Sequence, residues 1–211
     1  IAAGMVGRML LAARAHGTDA VFQYWMRPYP PYLSHGSLMN FDGTLRAGGV
    51  GYAIAGAMIQ GMQPRGVLRL GKCVTACVFA HPEGGRGIAA LWDSRPFLSN
   101  PASQVALKAD GAAIEALDMM ANPLSLDEKN GFTVAQVATD PVYLAAASAE
   151  RLEAVLKAAK VVVSGENTFV VSATIKANDT GRPCLWVRIY NNSLDPRQGT
   201  FSLDKVPEGF S

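Results

Sequence analysis

The chain has 211 residues, of which 49% are hydrophobic and only 17% are charged. This composition is that of a packed protein of one or two domains, and it excludes a disordered chain. The net charge of +2 comes without any long basic run, so nothing predicts nucleic-acid binding. No stretch of about 18 apolar residues occurs that would predict a membrane-spanning helix.

The first segment, residues 1–64, alternates helical and strand patterns. Apolar residues at three- to four-residue steps predict a helix that ends at His16–Gly17, where glycine suits a left-handed cap. The run Thr18–Met26 predicts a strand buried on both faces, as in a parallel sheet covered by helices. A long loop with an Asp42–Gly43 turn follows, and Tyr52–Met62 predicts a second helix. This order indicates an α/β layer architecture. The apolar positions of the first helix are Met5, Met9, Leu10 and Ala13.

The second segment, residues 65–147, consists of short strand-like runs separated by turn signals. Such spacing is typical of an antiparallel β-sandwich. The glycine-rich stretch 81–87 joins two of these runs instead of opening a helix, so it is not predicted to cradle a phosphate. The predicted strands are Val67–Leu70, Val74–Ala80, Gly87–Trp92, Gln104–Ala109, Ala113–Asp118, Thr133–Ala138 and Val142–Ala146.

The last part of the chain begins with a linker helix, predicted over residues 148–163 with Ser148 as its N-cap. Residues 164–211 then contain two strands that are expected to pair, and a further strand pattern follows them. We interpret this segment as an incomplete second β-sandwich. The three predicted strands are Phe169–Ile175, Cys184–Tyr190 and Thr200–Leu203.

Both ends of the chain indicate that it is an interior piece of a longer protein. It opens at Ile1 directly with a helical pattern, without a charged leader or a cleavage site. It ends at Ser211 just after a predicted strand. We therefore expect further residues on both sides.

The cysteines and histidines predict neither a disulfide framework nor a metal site. The three cysteines are an odd number, and the three histidines have no thiol or carboxylate partner nearby in sequence. Residues four apart on a strand point to the same face, so Cys73 and Cys77 are predicted to fill one apolar face. No motif for a cofactor, a serine hydrolase or a zinc protease occurs. The remaining residues of these types are Cys184, His16, His35 and His81.

Several short motifs follow one another between residues 24 and 144. They are Tyr24–Trp25, Asp42–Ala47, Gly51–Ala55, Arg86–Trp92, Leu117–Pro123 and Asp140–Leu144. In this order they resemble the last strand, loop and helix of a (β/α)8-barrel glycoside hydrolase and the β-sandwich behind it, as in the xylosidase- and iduronidase-like retaining enzymes. The resemblance covers about residues 1–147. Ala121 stands where that family usually has glycine, and Ala47 where proline often stands.

The resemblance implies an α/β plus all-β fold: the end of a (β/α)8 barrel, an antiparallel β-sandwich and the start of a second one. It implies a barrel–sandwich contact within the protein and hydrolysis of an oligo- or polysaccharide by a retaining two-carboxylate mechanism. Both family glutamates would precede Ile1, so we expect no catalytic residue and no cofactor in this chain. A secreted or cell-surface location would suit such an enzyme, but the sequence does not decide the compartment.

Three residues are the predicted substrate contacts. Trp25 would lie at the C-terminal end of a barrel strand, facing the active-site mouth, where an indole ring can stack on a sugar. Arg27 and Tyr29, with Tyr32 beside them, could hydrogen-bond sugar hydroxyls. The alternatives are a tryptophan in the barrel wall and ordinary loop residues.

A second hypothesis is a non-catalytic carbohydrate-binding or cell-surface module built from tandem β-sandwiches. It predicts that residues 65–147 bind glycans alone and that Trp92 or Trp186 is exposed, whereas a structural role predicts that both are buried. Three aspartates are expected to satisfy turns instead of acting as acids. They are Asp42, Asp93 and Asp118.

Overall fold

The computed structural model describes residues 3–21, 38–40, 42–95, 102–109, 113–163, 166–167, 169–177, 180–196, 198–200 and 202. The chain forms two compact units, unit 1 from Ile1 to Ser164 and unit 2 from Gly165 to Ser211. The three predicted segments 1–64, 65–147 and 148–163 all fall within unit 1. Their separation into a barrel piece, a sandwich and a linker stays a prediction.

Unit 1 contains three helices and ten strands among its described residues. The helices are α1 (Ala3–Ala15), α2 (Ala47–Met58) and α3 (Ala149–Lys157). The strands are β1 (Gln63–Leu70), β2 (Val74–Ala80), β3 (Gly87–Asp93), β4 (Ser103–Leu107), β5 (Ile114–Leu117), β6 (Pro123–Leu124), β7 (Asp127–Lys129), β8 (Phe132–Val137), β9 (Val142–Ala146) and β10 (Lys160–Val163). Every predicted strand of the sandwich corresponds to one of these, whereas β6, β7 and β10 were not predicted.

The strands of unit 1 form two antiparallel sheets. The larger sheet has six strands in the order β1-β2-β3-β9-β5-β6, and the smaller has four in the order β10-β4-β8-β7. Apolar residues of both sheets share one buried cluster. The predicted β-sandwich is therefore confirmed.

No (β/α)8 barrel is present in the described residues, because every described strand pairing is antiparallel. The predicted barrel strand Thr18–Met26 is not a strand over its described part, residues 18–21. Arg14 instead holds this segment as a turn, by donating hydrogen bonds to the carbonyl oxygens of Thr18 and Asp19. Residues 22–26 lie outside the described residues.

The centre of the six-stranded sheet, β2, β3 and β9, is buried on both of its faces. Alternate residues of a strand point to opposite faces, and β2 divides accordingly. Val74, Ala76 and Val78 join the cluster between the two sheets, while Cys77 and Phe79 join a cluster beneath the helices. The outer face is apolar because α1 and α2 cover it.

The prediction that Cys73 and Cys77 share a face is wrong. Cys73 lies in the turn before β2, so the strand alternation does not include it. Its side chain belongs to the cluster between the sheets, whereas Cys77 belongs to the cluster beneath the helices. Both are buried, as small apolar fillers would be.

Helices α1 and α2 pack closely on each other because their interface is made of small residues. A Cβ atom on Gly7 would lie 3.3 Å from the carbonyl oxygen of Gly51, so glycine at position 7 lets the backbones approach. Leu11 and Ala55 are fully buried beneath this pair. Met5 and Met9, which the sequence pattern placed on the apolar stripe, are exposed.

Helix α3 begins as predicted. The Ser148 hydroxyl accepts a hydrogen bond from the Arg151 backbone N–H, which satisfies one of the free donors of the first turn. Leu152 and Leu156 place the apolar side of α3 in the cluster between the sheets.

Unit 2 consists of one antiparallel hairpin among its described residues. Strands β11 (Phe169–Ala177) and β12 (Pro183–Asn191) pair along their full length, which confirms the predicted pairing. Of the predicted third strand, Thr200–Leu203, residues 201 and 203 lie outside the described residues.

Candidate functional site

The predicted substrate contacts Trp25, Arg27 and Tyr29 lie outside the described residues, as do Tyr32 and His35. They belong to the segment 22–37. Its two flanking segments are described. The structure therefore gives the anchors of the predicted site, and the roles of the three contact residues stay predictions.

The first described flank of residues 22–37 is Val21. The hydroxyl of Tyr52, on α2, donates a hydrogen bond to the Val21 carbonyl oxygen at 3.3 Å. Val21 also packs against the apolar cluster beneath the helices. Val21 therefore lies beside α2.

The second described flank is a tight turn that leads from Leu38 into α2. Met39 and Leu45 form a β-bridge, and the Asn40 backbone N–H donates to the Thr44 carbonyl oxygen at 2.8 Å. The Arg46 backbone N–H donates to the Leu38 carbonyl oxygen at 2.9 Å. These bonds hold Leu38 buried at the start of the turn.

Side chains reinforce this turn, which confirms that Asp42 is a turn residue. Its Oδ1 accepts hydrogen bonds from the Thr44 backbone N–H at 2.9 Å and the Thr44 hydroxyl at 2.7 Å. These bonds lower the pKa of Asp42 from its usual value. Arg46 Nε donates to Asn40 Oδ1 at 2.9 Å. An ionised carboxylate that accepts two hydrogen bonds in an exposed turn is not poised to donate a proton.

Gly49 completes the anchor at the start of α2. Any Cβ atom at this position would collide with the Leu38 carbonyl oxygen. The glycine therefore lets the turn lie directly against the helix. Val21 and Leu38, which flank residues 22–37, are thus both held against α2.

A second polar cluster lies between the two sheets of unit 1. The fully buried Asp93, at the end of β3, forms an ion pair with Arg95 at 2.8 Å and accepts a hydrogen bond from the Ser103 hydroxyl at 2.7 Å. Ser103 is the first residue of β4, so the bond joins the two sheets. The Cys73 thiol lies 3.7 Å from the same carboxylate.

The groups of this cluster stabilise the fold and are not arranged for catalysis. Burial opposes ionisation of Asp93, but hydrogen bonds from Arg95 and Ser103 outweigh it, so the pKa of Asp93 is lowered. Burial, together with the Asp93 charge, raises the pKa of Cys73, and burial raises the pKa of Cys77 to about 12. These thiols stay protonated near neutral pH and are poor nucleophiles.

Asp118 is also a turn residue, as predicted. Its carboxylate accepts hydrogen bonds from the backbone N–H groups of Met120 and Asn122, both at 2.8 Å. Ala121, between them, has a φ of 63°. This left-handed conformation favours glycine, which is the residue usual at this position in the resembled family.

The tryptophans of the two units differ in exposure. Trp92 is 7% exposed and packs beneath the helices, whereas Trp186 is 53% exposed. Trp186 and five neighbours line a hollow of about 110 Å³ on one face of the hairpin. Sequence reasoning singled out only Trp186, although the alternation of residues 186, 188 and 190 was the signal for the others. The lining residues are Ser172, Thr174, Lys176, Trp186, Arg188 and Tyr190.

The described residues contain neither a cluster of metal ligands nor a membrane-spanning helix. Across residues 3–202, outside the gaps given above, no three His, Cys, Asp or Glu side chains cluster as metal ligands would. Among the described helices, none combines the length and apolar character that a membrane crossing needs.

One solved structure resembles this fold. It is described as a family 39 glycoside hydrolase from the gut symbiont Bacteroides cellulosilyticus WH2. The TM-score is 0.57 at 18% sequence identity, over 68% of this chain and 30% of that chain. The likeness is one of fold, and this chain spans less than a third of that protein. No protein family matches the sequence, and no curated protein does.

Proposed function

We propose that this chain is part of a retaining glycoside hydrolase that cleaves glycosidic bonds of an oligo- or polysaccharide. The observation that supports this most is the fold likeness to the family 39 glycoside hydrolase. It agrees with a resemblance that rests on different information, the order of the motifs between Tyr24 and Leu144. A chance likeness of sandwich folds would not produce that order.

In this proposal α1, residues 22–37 and α2 belong to the end of a catalytic barrel whose strands lie outside the described residues. Trp25 stacks on a sugar ring, while Arg27 and Tyr29 hydrogen-bond its hydroxyls. The anchoring of Val21 and Leu38 to α2 supports this role, because a substrate-binding segment needs fixed ends to present its side chains reproducibly.

The reaction needs two carboxyl groups about 5–5.5 Å apart. One attacks the anomeric carbon while the other protonates the departing oxygen, and water then releases the sugar from the glycosyl-enzyme. Asp42, Asp93 and Asp118 do not suit these roles, since they are tied to turns or to a buried pair. The family resemblance implies that both groups are glutamates that precede Ile1, outside these 211 residues.

The sandwich supports the barrel in this proposal. The outer face of the six-stranded sheet buries Leu10 and Leu11 of α1 and Ile59 at the end of α2. A barrel whose last helices rest on such a sheet gains a rigid base. We propose that this packing supplies the intramolecular barrel–sandwich contact that the family resemblance implies.

The test uses the complete gene product that contains this chain. We expect it to hydrolyse at least one aryl glycoside with retention at the anomeric carbon, followed by proton NMR. A 2-fluoro glycoside should label a glutamate outside the 211 residues. Trp25→Ala should lower kcat/KM about five- to tenfold, as for one lost stacking contact, whereas Trp186→Ala should not.

Two outcomes would contradict the proposal. A complete gene product that turns over no aryl glycoside would contradict the proposed activity. A covalent label on a carboxylate of this chain would place the chemistry here, against our assignment. An unchanged kcat/KM in Trp25→Ala would remove only the substrate contact.

The non-catalytic binding module survives as a second candidate for unit 2 alone. Of the two tryptophans on which it depends, Trp92 is buried and Trp186 is exposed. The Trp92 indole is therefore not accessible to a glycan, which removes the support for glycan binding by residues 65–147 through Trp92. The exposed tryptophan on which this candidate can rest is Trp186, on the hairpin.

A further inference from the structure

The hairpin of unit 2 has two chemically different faces. Directly opposite residues of an antiparallel pair lie on the same face, so the register assigns each side chain. One face is apolar throughout its centre and includes Val171 opposite Ile189 and Ile175 opposite Leu185. The other, which we call the polar face, holds Ser172 opposite Arg188 and Thr174 opposite Trp186, with Lys176 and Tyr190 at its ends.

The apolar face is the one that the chain itself begins to cover. Gln198, Gly199 and Thr200 line a groove of about 330 Å³ together with Phe169, Val171 and Ile189. The chain thus returns along this face after β12. The hollow on the polar face is lined by residues of the two strands alone, so no described segment outside the hairpin lines it.

The polar face combines aromatic rings with cations. Trp186 and Tyr190 are about half exposed and lie four residues apart on β12, about 13 Å along the strand. Arg188 lies between them, and Lys176 lies on β11 opposite Cys184, beyond Trp186. Within the described residues of unit 2, neither cation forms a hydrogen bond or an ion pair, and the face has no carboxylate.

We propose that the polar face binds an acidic oligosaccharide. The exposed faces of the Trp186 and Tyr190 rings match the apolar C–H faces of sugars, while Arg188 and Lys176 offer charge-assisted hydrogen bonds to a carboxylate or sulfate group. Ser172 and Thr174 supply hydroxyls for the ring substituents. Aromatic rings alone would suit neutral sugars, so the two cations are what select an anionic one.

Single-stranded nucleic acid is the competing anionic polymer that stacks on aromatic rings. It normally engages a positively charged groove that follows the backbone. This face has two cations, and the whole chain has a net charge of only +2. The observations therefore favour a glycan. The inference uses unit 2 alone, so it does not depend on glycosidase activity.

The test is calorimetric titration of the 211-residue chain with four probes. They are tetragalacturonate, a sulfated heparin tetrasaccharide, neutral xylotetraose and an oligothymidylate. We expect at least one acidic tetrasaccharide to bind at least about fivefold more tightly than xylotetraose, and its affinity to fall as salt is raised. The two acidic probes distinguish carboxylate from sulfate.

Variants locate the site. Trp186→Ala and Arg188→Gln should each weaken binding of the preferred probe about five- to tenfold. Lys108→Gln, which removes an exposed lysine of unit 1, is the matched control and should bind normally. Amide hydrogen exchange in β11 and β12 verifies that the hairpin is intact. If Trp186→Ala loosens the hairpin, Arg188→Gln decides, because the Arg188 side chain is exposed and has no partner among the described residues.

Four results would overturn the proposal. They are no binding of either acidic tetrasaccharide, equal or tighter binding of xylotetraose, tighter binding of the oligothymidylate, and an unchanged affinity in an intact Arg188→Gln variant. The third of these would instead make the face a nucleic-acid surface.

Discussion

Each unit has a Leu–Trp pair in the middle of an antiparallel strand, and the two pairs have opposite surroundings. In β3, Leu91 is fully buried between the sheets and Trp92 is buried beneath the helices. In β12, Leu185 and Trp186 are both exposed. The same dipeptide in the same secondary structure is core in one unit and surface in the other. What differs is whether other elements cover the sheet on both faces.

The largest expected effect tests this contrast directly. Trp92→Ala should destabilise unit 1 by about 3–5 kcal/mol, because it leaves a cavity beneath α1 and α2. Trp186→Ala should change the stability of unit 2 by no more than about 0.5 kcal/mol, as exposed substitutions do. Amide hydrogen exchange in β2 and β3, compared with β11 and β12, measures the two units separately. Equal losses in the two variants would mean that Trp186 is buried in solution.

Asp93 marks a second difference, since its buried carboxylate joins the two sheets of unit 1 by accepting a hydrogen bond from Ser103, and also pairs with Arg95. Asp93→Asn removes the charge that Arg95 pairs with, and should destabilise unit 1 by about 1–3 kcal/mol near neutral pH, measured by urea unfolding. Asp118→Asn is the control. Its Oδ1 accepts backbone N–H bonds that an amide oxygen can also accept, and only the exposed bond from Asn122 Nδ2 to Oδ2 is lost, so a smaller effect is expected.

The pH dependence of the Asp93 effect has a defined sign. The folded-state pKa is lowered, so the carboxylate contributes its full stability above the unfolded pKa of about 3.9. That contribution is lost as the pH falls through the lower folded value. The difference in unfolding free energy between wild type and Asp93→Asn should be constant from about pH 8 to pH 5 and shrink toward pH 3. A difference that grew on acidification would contradict the ion pair.

The parts of this fold that can be predicted are those determined by residues close together in the sequence. Strand alternation and turn residues gave β2, β3 and β9, and Ser148 marked the start of α3. The Asp42 and Asp118 turns were readable because their bonds reach only two to four residues along the chain. The start of α2 was placed five residues late, at Tyr52 instead of Ala47, because its glycine-rich first turn has no apolar period.

The parts that could not be predicted depend on contacts between distant segments. Nothing near Trp92 or Trp186 in sequence tells which is covered by helices. The Asp93–Ser103 bond crosses between sheets, and Cys73 faces the inter-sheet cluster because the chain turns before β2. For the substrate site, Trp25, Arg27 and Tyr29 rest on a family resemblance, and the described structure adds only their anchors.

Two adjacent glycines of α2 test whether those anchors matter. Gly49→Ala should destabilise unit 1 by about 1–3 kcal/mol and increase amide exchange at Leu38 and Arg46, because the new methyl group collides with the Leu38 carbonyl oxygen. Gly48→Ala is the matched control. Its nearest neighbour would be Val6 Cγ2 at 3.9 Å, so it should be neutral or gain up to about 1 kcal/mol of helix propensity. Equal behaviour of the two variants would exclude a tight Leu38–Gly49 approach.

The smallest expected effect concerns the position where this chain departs from the resembled family. Ala121 adopts a φ of 63° in the Asp118 turn, and an alanine in this region carries steric strain that glycine lacks. Ala121→Gly should therefore stabilise unit 1 by about 0.5–1 kcal/mol, measured by urea unfolding. Ala102→Gly, at an exposed position whose φ is not positive, should instead lose a similar amount, because glycine there only adds freedom to the unfolded chain. Opposite signs for the same substitution would identify backbone conformation as the cause, whereas destabilisation by both would show that the Asp118 turn does not hold Ala121 in the left-handed region.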